Sequence, residues 1–230
     1  MGPQNLPERA REVLGRMAQA AAAAGRSAQS VTLLAVSKAQ PAAAVRAAAD
    51  CGLRHFGESY LDEALEKIAA LHDRALTWHF IGRLQGNKTR GVAASFAWVH
   101  ALDRMKIASR LSAQRPEQAP PLNVCLEVNL AGEASKGGVR PAELPALAAA
   151  VAALPRLKLR GLMCIPPEET EPARQRRWFR ALRELYDSLN AAGAGLDTLS
   201  MGMSGDFEAA ILEGATIVRV GTALFGPRPK

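Results

Sequence analysis

Apolar positions along this chain alternate between two rhythms. Runs rich in aliphatic, β-branched and aromatic residues predict strands at Val31–Lys38, His55–Glu58, Thr77–Gly82, Ala97–Leu102, Leu122–Leu130, Leu157–Ile165, Thr198–Met203 and Thr216–Phe225. Alanine-rich segments with helical spacing fill the intervals, among them Pro41–Cys51, Ser59–Leu71, Pro141–Leu154 and Pro172–Ala192. One more amphipathic helix leads the chain, where Leu6, Ala10, Val13, Met17 and Ala20 share a face. Strand starts recur at about 18 to 41 residues, the length a strand plus a crossover helix requires. Eight such units predict an α/β chain, a single (β/α)8 TIM-type barrel domain over residues 1–230, with the leading helix outside it or across its bottom. An open doubly wound sheet would more usually carry five or six strands and a glycine-rich first turn. The first turn here is Ser37-Lys38-Ala39-Gln40-Pro41, without glycine.

Composition narrows the class. With 48% hydrophobic and 22% charged residues, the chain has the make-up of an ordinary soluble globular protein. No uncharged apolar stretch is long enough for a transmembrane helix. Ala20 to Ala24 followed by Gly25 resembles a signal-peptide tail, but Glu8, Arg9, Arg11, Glu12 and Arg16 interrupt the apolar core such a signal needs. The expectation is a soluble, untargeted, cytoplasmic protein. An odd set of three cysteines, Cys51, Cys125 and Cys164, fits a reducing compartment. Four histidines without ligand spacing give no metal site.

Net charge of +7 would suit an anionic ligand or a nucleic acid. The densest basic run, Arg174, Arg176, Arg177, Arg180 and Arg183, shares a helix with Trp178, Phe179, Leu182 and Leu185, and reads as a solvated face over a buried stripe.

The C-terminal mouth of such a barrel is where chemistry collects. Lys38 ends the first predicted strand, where partial desolvation would lower its pKa and free the amine for imine formation. Only 7 of the 29 basic residues are lysine, yet Lys38, Lys88 and Lys136 all fall at or just after odd-numbered strands. An imine needs an amine, and a guanidinium cannot serve. The last two units look like an anion site: Met201-Gly202-Met203-Ser204-Gly205-Asp206 precedes a short helix with Ser204 at its expected N-cap, and Arg219-Val220-Gly221-Thr222 ends the last strand. Arg219 inside a strand needs a partner, with Glu127 and Asn129 of strand five as candidates for a structural salt bridge, or a bound cofactor's ring nitrogen as the functional alternative. The segment Gly82-Arg83-Leu84-Gln85-Gly86-Asn87-Lys88-Thr89 imitates a phosphate-binding P-loop, but Asn87 stands where that motif requires glycine, and nucleotide hydrolysis is excluded.

These residues carry a resemblance. LLAVSK, HFGESY, WHFIGRLQGNK, VNLAGEASKGG, GLMCIPP, LSMGMSGDFEAAI and VRVGTALFG span nearly the whole chain in order, and in them it resembles the pyridoxal phosphate homeostasis proteins, single-domain relatives of the alanine racemase N-terminal barrel. The resemblance implies pyridoxal 5′-phosphate as a Schiff base on Lys38, its phosphate around Ser204, Gly221 and Thr222 beside the backbone that Gly205 leaves open, and Arg219 near the pyridine nitrogen. It places Met201 and His79 close to the ring or the mouth, and makes Lys136 a second lysine used when cofactor is loaded or handed on. Two positions depart from the family pattern: Ser59 replaces the asparagine of GEN, and Gly86 the serine of LQSNK. Ser59 keeps one hydrogen-bond donor but loses the paired donor and acceptor of an amide.

Three functions compete. A cation facing the ring nitrogen keeps it unprotonated and weakens it as an electron sink, which favours a protein that holds and delivers pyridoxal phosphate. A low-activity amino-acid racemase needs a second base, for which Tyr60 is in reach while Tyr186 sits on an outer helix. RNA binding rests on net charge alone. Expected partners are pyridoxal phosphate itself and pyridoxal-phosphate-dependent apo-enzymes, without membrane or specific nucleic acid, and a monomer is the default.

Overall fold

The structure, a computed structural model, describes residues 5–133 and 136–227. Eight parallel strands close into a barrel in the order of the sequence. They are β1 Thr32–Val36, β2 His55–Glu58, β3 Thr77–Phe80, β4 Trp98–Leu102, β5 Leu122–Glu127, β6 Leu157–Met163, β7 Thr198–Ser200 and β8 Ile217–Val220. The helices are α1 Leu6–Ala23, α2 Ala42–Asp50, α3 Leu61–Ala70, α4 Thr89–Ser95, α5 Met105–Gln114, α6 Leu144–Ala152, α7 Pro172–Ala191, α8 Phe207–Leu212 and α9 Thr222–Phe225. Closure is the pairing of β1 with β8, which sets Leu34 opposite Arg219 and Ala35 opposite Val220.

Each predicted strand is present, but the last is shorter than its apolar run. Thr216–Phe225 splits into β8 and the one-turn helix α9, because Gly221 leaves the strand region and Thr222 begins to coil. Likewise β1 stops at Val36, so Lys38 stands two residues beyond the ladder, in the turn.

Helix α1 begins at a reciprocal cap: Asn5 accepts from the Glu8 amide, and the Glu8 carboxylate accepts from the Asn5 amide. Its buried face, Ala10, Val13, Met17, Ala20 and Ala21, resolves where the leading helix goes. It lies outside the barrel against α8 and α9. Arg9 Nε donates to the Leu224 carbonyl at 2.7 Å, and the Arg16 guanidinium stacks over Phe207 at 4.7 Å. Thus α1 braces the two short helices that follow β7 and β8.

Long helix α7 buries Phe179 and Leu182 and turns its arginines outward, where Arg176 and Arg180 reach Glu213 at 2.6 and 2.9 Å. No described helix is long and apolar enough to cross a membrane.

Gly202 makes the bend after β7. Its φ of 92° lies in the left-handed region, and a Cβ there would stand 2.6 Å from the Ala210 Cβ. Gly202→Ala is therefore expected to cost roughly 2–4 kcal/mol, from backbone strain plus overpacking. Urea denaturation followed by circular dichroism checks this; an unchanged midpoint would overturn the account of the bend.

Candidate functional site

A cavity of about 270 Å³ opens at the C-terminal end of the barrel, walled by Lys38, Ser59, Ser204, Gly205, Arg219, Gly221 and Thr222. Seven residues singled out from the sequence thus meet in one place.

Lys38 is held by its neighbours. The Ser37 amide donates to the Gly57 carbonyl at 3.0 Å, and the Ser37 hydroxyl donates to Glu58 Oε1 at 2.6 Å. Lys67 Nζ donates to the Ser37 carbonyl at 2.7 Å, to Glu58 Oε1 at 2.8 Å and to Glu63. On the far side, the Ala39 amide donates to Glu63 Oε1 at 2.7 Å. Ala39 has φ 61°, a left-handed conformation that costs an L-residue about 1–2 kcal/mol. The network offsets that strain and pins the backbone on both sides of Lys38. Lys67 and Glu58 are almost wholly buried. Burial pushes the Glu58 carboxyl up, against the hydrogen bonds from Lys67 and Ser37 that pull it down.

Across the cavity the backbone offers donors. None of the hydrogen bonds among the described residues uses the amide N–H of Ser204 or Gly205. Thr222 opens α9, where an amide has no intrahelical partner. Asp206 precedes the helix α8 and accepts from the Met203 amide at 2.6 Å, tightening the loop. Ser204 is not the N-cap expected: with Asp206 in that position, its hydroxyl instead accepts from the Ala223 amide at 3.4 Å, tying the two loops together.

Arg219 forms the floor and is 5% exposed. Its Nη1 donates to the Ser200 carbonyl at 2.6 Å and hydroxyl at 2.8 Å, and its Nη2 donates to the Cys164 carbonyl at 2.9 Å. Neither Glu127 nor Asn129 bonds to it: among the described residues, no ion pair includes Arg219. Asn129 turns its amide to the Glu133 carbonyl instead. Burial pulls the Arg219 pKa down, yet a guanidinium stays charged at any physiological pH. The cavity floor therefore carries a buried positive charge whose described hydrogen bonds end on neutral acceptors.

Two expected residues lie elsewhere. Met201 is fully buried and packs in the main core, because Ser200 before it faces the barrel interior and strand alternation turns Met201 outward. Beyond the bend at Gly202, Met203 reaches the cavity in its place. His79 points into the barrel below the cavity, and Ile81, two residues nearer the mouth, lines the wall. His79 joins a string of contacts: His55 Nδ1 to His79 Nε2 at 3.0 Å, His79 Nδ1 to His100 Nε2 at 2.9 Å, and His100 Nδ1 to Ser200 Oγ at 2.7 Å.

Gln40, Ile81 and Ile165 also line the cavity and were not among the candidate site residues, although Ile81 and Ile165 lie within the segments WHFIGRLQGNK and GLMCIPP. Period-two alternation from Lys38 through Val36, and from His79 to Ile81, is the signal that could have found part of this wall.

Lys136 lines a separate cavity of about 160 Å³ with Glu127, Asn129 and Gly137, and pairs with Glu133 at 2.8 Å. Lys88 lines a third, of about 530 Å³, with Tyr60, Arg83 and Asp62, and pairs with Asp62 at 2.8 Å. Lys38 and Ser59 belong to that third cavity as well as the first, and Ile165 touches all three. At Gly86 a Cβ would stand 2.7 Å from Arg110 Nη1, so glycine there makes room for the Arg110 guanidinium that bonds its carbonyl.

Residues 14–229 match the family described as alanine racemase, N-terminal domain. A pyridoxal phosphate homeostasis protein of Pseudomonas aeruginosa is 61% identical over 223 residues, covering 97% of this chain and 96% of its own. One of the same name from Escherichia coli K12 is 50% identical, covering 94% of each. Among solved structures, PipY of Synechococcus elongatus without PLP superposes with a TM-score of 0.86 at 38% identity, over 96% of this chain and 100% of its own. PipY with PLP bound gives 0.81 at 40% identity, over 91% of this chain and 100% of its own. Alanine racemase of Corynebacterium glutamicum is 18% identical with a TM-score of 0.66, over 95% of this chain and 61% of its own, a likeness of fold alone.

Two outcomes follow from the buried groups. Lys67→Met leaves the Glu58 carboxylate without its cation and is expected to cost about 3–5 kcal/mol, most of which Glu58→Gln in the same chain restores. A double-mutant cycle by urea denaturation checks the coupling; additive losses would contradict it. Secondly, burial and the Arg219 charge pull the His100 pKa from 6.5 down to about 3. Between those values the unfolded chain binds the extra proton. Stability from this residue is therefore intact above about pH 6.5 and falls as pH drops toward 3, by about 1.4 kcal/mol per unit. Against pH, unfolding free energy of His100→Gln should run flatter by that slope; parallel profiles would refute it.

Proposed function

This chain belongs to the pyridoxal phosphate homeostasis protein family, and from that premise we propose that it holds pyridoxal 5′-phosphate on Lys38 and serves to keep that cofactor low and available. The observation that carries the reading is the meeting of an amine, a buried guanidinium without an ion pair among the described residues and two open backbone loops in one cavity. Bound there, the cofactor supplies an aldehyde that captures a primary amine reversibly, with loss of water.

Each group of the site has a matching task. Lys38 offers the amine, held in place by the turn that Glu58, Glu63 and Lys67 grip. Ser204, Gly205, Gly221 and Thr222 take the phosphate, a dianion suited to open amides. Arg219 meets the ring nitrogen as a donor and keeps it unprotonated. Ser59 gives one hydrogen bond to the ring's polar edge, fewer than the family's asparagine would. Lys136, in its own cavity, serves as the second lysine when cofactor arrives or leaves.

Holding is favoured over turnover by the placement of the tyrosine and cysteines that could serve as a second base among the described residues. Racemisation needs a base on each face of the substrate carbon. Cys125 and Cys164 are fully buried, with thiols pushed up to about 12 by burial. Tyr60 is 59% exposed and opens on the neighbouring cavity. The proposal extends to a monomeric, cytoplasmic protein of one cofactor-binding domain, whose partners are apo-enzymes that need the cofactor. Its three cysteines are free, as a reducing compartment requires.

The test is spectroscopic. Protein loaded with pyridoxal phosphate should show an imine absorbance that borohydride reduction traps as a stable adduct on the Lys38 peptide. Lys38→Ala should abolish both, and an unchanged adduct in that variant would overturn the assignment. No amino acid should exchange its α-hydrogen in deuterated water at a rate above the cofactor alone.

A further inference from the structure

The histidine string beneath the cavity is absorbed by no step above. It runs His55–His79–His100–Ser200–Arg219 through the inside of the barrel, and the ring of Trp98 stacks on His79 at 5.4 Å and 11°. Each nitrogen contact can run either way, but a neutral imidazole has one donor and one acceptor, so one choice fixes all. Only two arrangements exist for three neutral rings.

In one, the Ser200 hydroxyl donates to His100 Nδ1, His100 Nε2–H donates to His79 Nδ1, and His79 Nε2–H donates to His55 Nδ1. In the other, every bond is reversed. The reversed form makes Ser200 Oγ accept from both Arg219 and His100, leaves the hydroxyl proton without an acceptor among the described residues, and aims N–H dipoles at a cation. The first form leaves only the Nε2–H of half-buried His55 without a partner among the described residues, keeps the buried hydroxyl proton bonded and turns the Nδ1 lone pairs toward Arg219. A proton added to Nδ1 of His55 or His79 would set two N–H groups face to face, and one added to Nδ1 of His100 would displace the Ser200 hydroxyl proton from that contact. Burial also favours neutral rings at all three positions, and the Arg219 charge adds to it at His100.

We propose that His55, His79 and His100 form a tautomer-locked string, each protonated on Nε2, whose aligned dipoles stabilise the Arg219 charge and, through Ser200, fix the direction in which its guanidinium faces the cavity. Ser200, His100 and His79 are then positioning residues for the contact between Arg219 and the cofactor's ring nitrogen. That last clause rests on the cofactor reading above; the locked string does not.

Nitrogen-15 correlation spectra of histidine-labelled protein without added cofactor, at pH 7.5, read the tautomers directly, with exposed His72 as an internal reference. The expected pattern is the Nε2–H form at His55, His79 and His100. An Nδ1–H form or an imidazolium at His79 or His100 would overturn the proposal. Ser200→Ala removes the hydroxyl donor, so His100 should lose its single-tautomer signature, and half-saturation should need roughly ten-fold more pyridoxal phosphate. An unchanged His100 spectrum in a folded Ser200→Ala protein would count against the string. If borohydride fails to trap Lys38 while the tautomers are as assigned, the cofactor reading falls and the string stands. Trapping with reversed tautomers has the opposite meaning.

Discussion

The rest of this cavity is arranged around one buried charge, the guanidinium of Arg219. A charge withdrawn from water needs compensation, and the usual compensation is a carboxylate. Here it is spread over dipoles: two carbonyls, one hydroxyl and the histidines behind that hydroxyl. Their partial charges satisfy the hydrogen bonds without cancelling the positive charge. The carboxyls of Asp206 and Glu127 act on it only through their field, without an ion pair or hydrogen bond among the described residues. The arrangement therefore keeps a permanent demand for electron density where the barrel opens, at the cost of a polar interior where barrels ordinarily place branched aliphatics.

The opposite wall depends on a second compensation. Ser37, Lys38 and Ala39 leave the first strand in a turn whose last residue is left-handed without being glycine. Such a turn persists only when its surroundings determine it. The buried Lys67 does so by bonding Ser37 directly and Ala39 through Glu63. Helix α3 thereby supplies, from outside the barrel, the grip on the turn that carries Lys38 just beyond the first strand. The same logic holds on the far side, where α1 bonds the end of α9 through Arg9. Both walls of the cavity are held by the layer outside the barrel, and the binding surface itself is left to the loops.

The barrel was legible in the sequence because its signals are local. Period-two runs and helical stripes give element type, and the βα spacing gives closure with little else to decide. Lys38, Ser204, Gly205, Gly221 and Thr222 were legible too, since the ends of consecutive units converge on one mouth. The misplacements had other causes. Met201 lies in the core because alternation after inward-facing Ser200 turns it outward, and the bend at Gly202 then brings Met203 to the cavity. His79 lies below the cavity rather than in its wall, because sequence gives the face of a strand but not the depth along the barrel axis. Arg219 departs from its candidate partners on strand five for a deeper reason: charge complementarity predicts a carboxylate, while its described hydrogen bonds end on two backbone carbonyls and a hydroxyl, which no sequence pattern advertises. The clamp around Lys67 also lay beyond sequence, as it joins residues from β1, β2 and α3 that meet only after closure.

Lys38 stands where two cavities meet. The smaller holds the open amides and Arg219; the larger, of about 530 Å³, runs along Tyr60, Arg83 and Lys88 toward solvent, with Ser59, Ile81 and Ile165 shared between them. An enzyme that turns over a bound substrate needs a closed site with groups poised on both faces of the reacting carbon. A single amine with a charged seat on one side and an open approach on the other suits reversible capture. Under the proposed reading the seat fixes phosphate and ring, and the approach admits whatever takes the cofactor away. Retention is then set by Arg219 and the loops, while release is set by access to the imine from the larger cavity. The two are separable because different residues govern them, with Lys38 common to both.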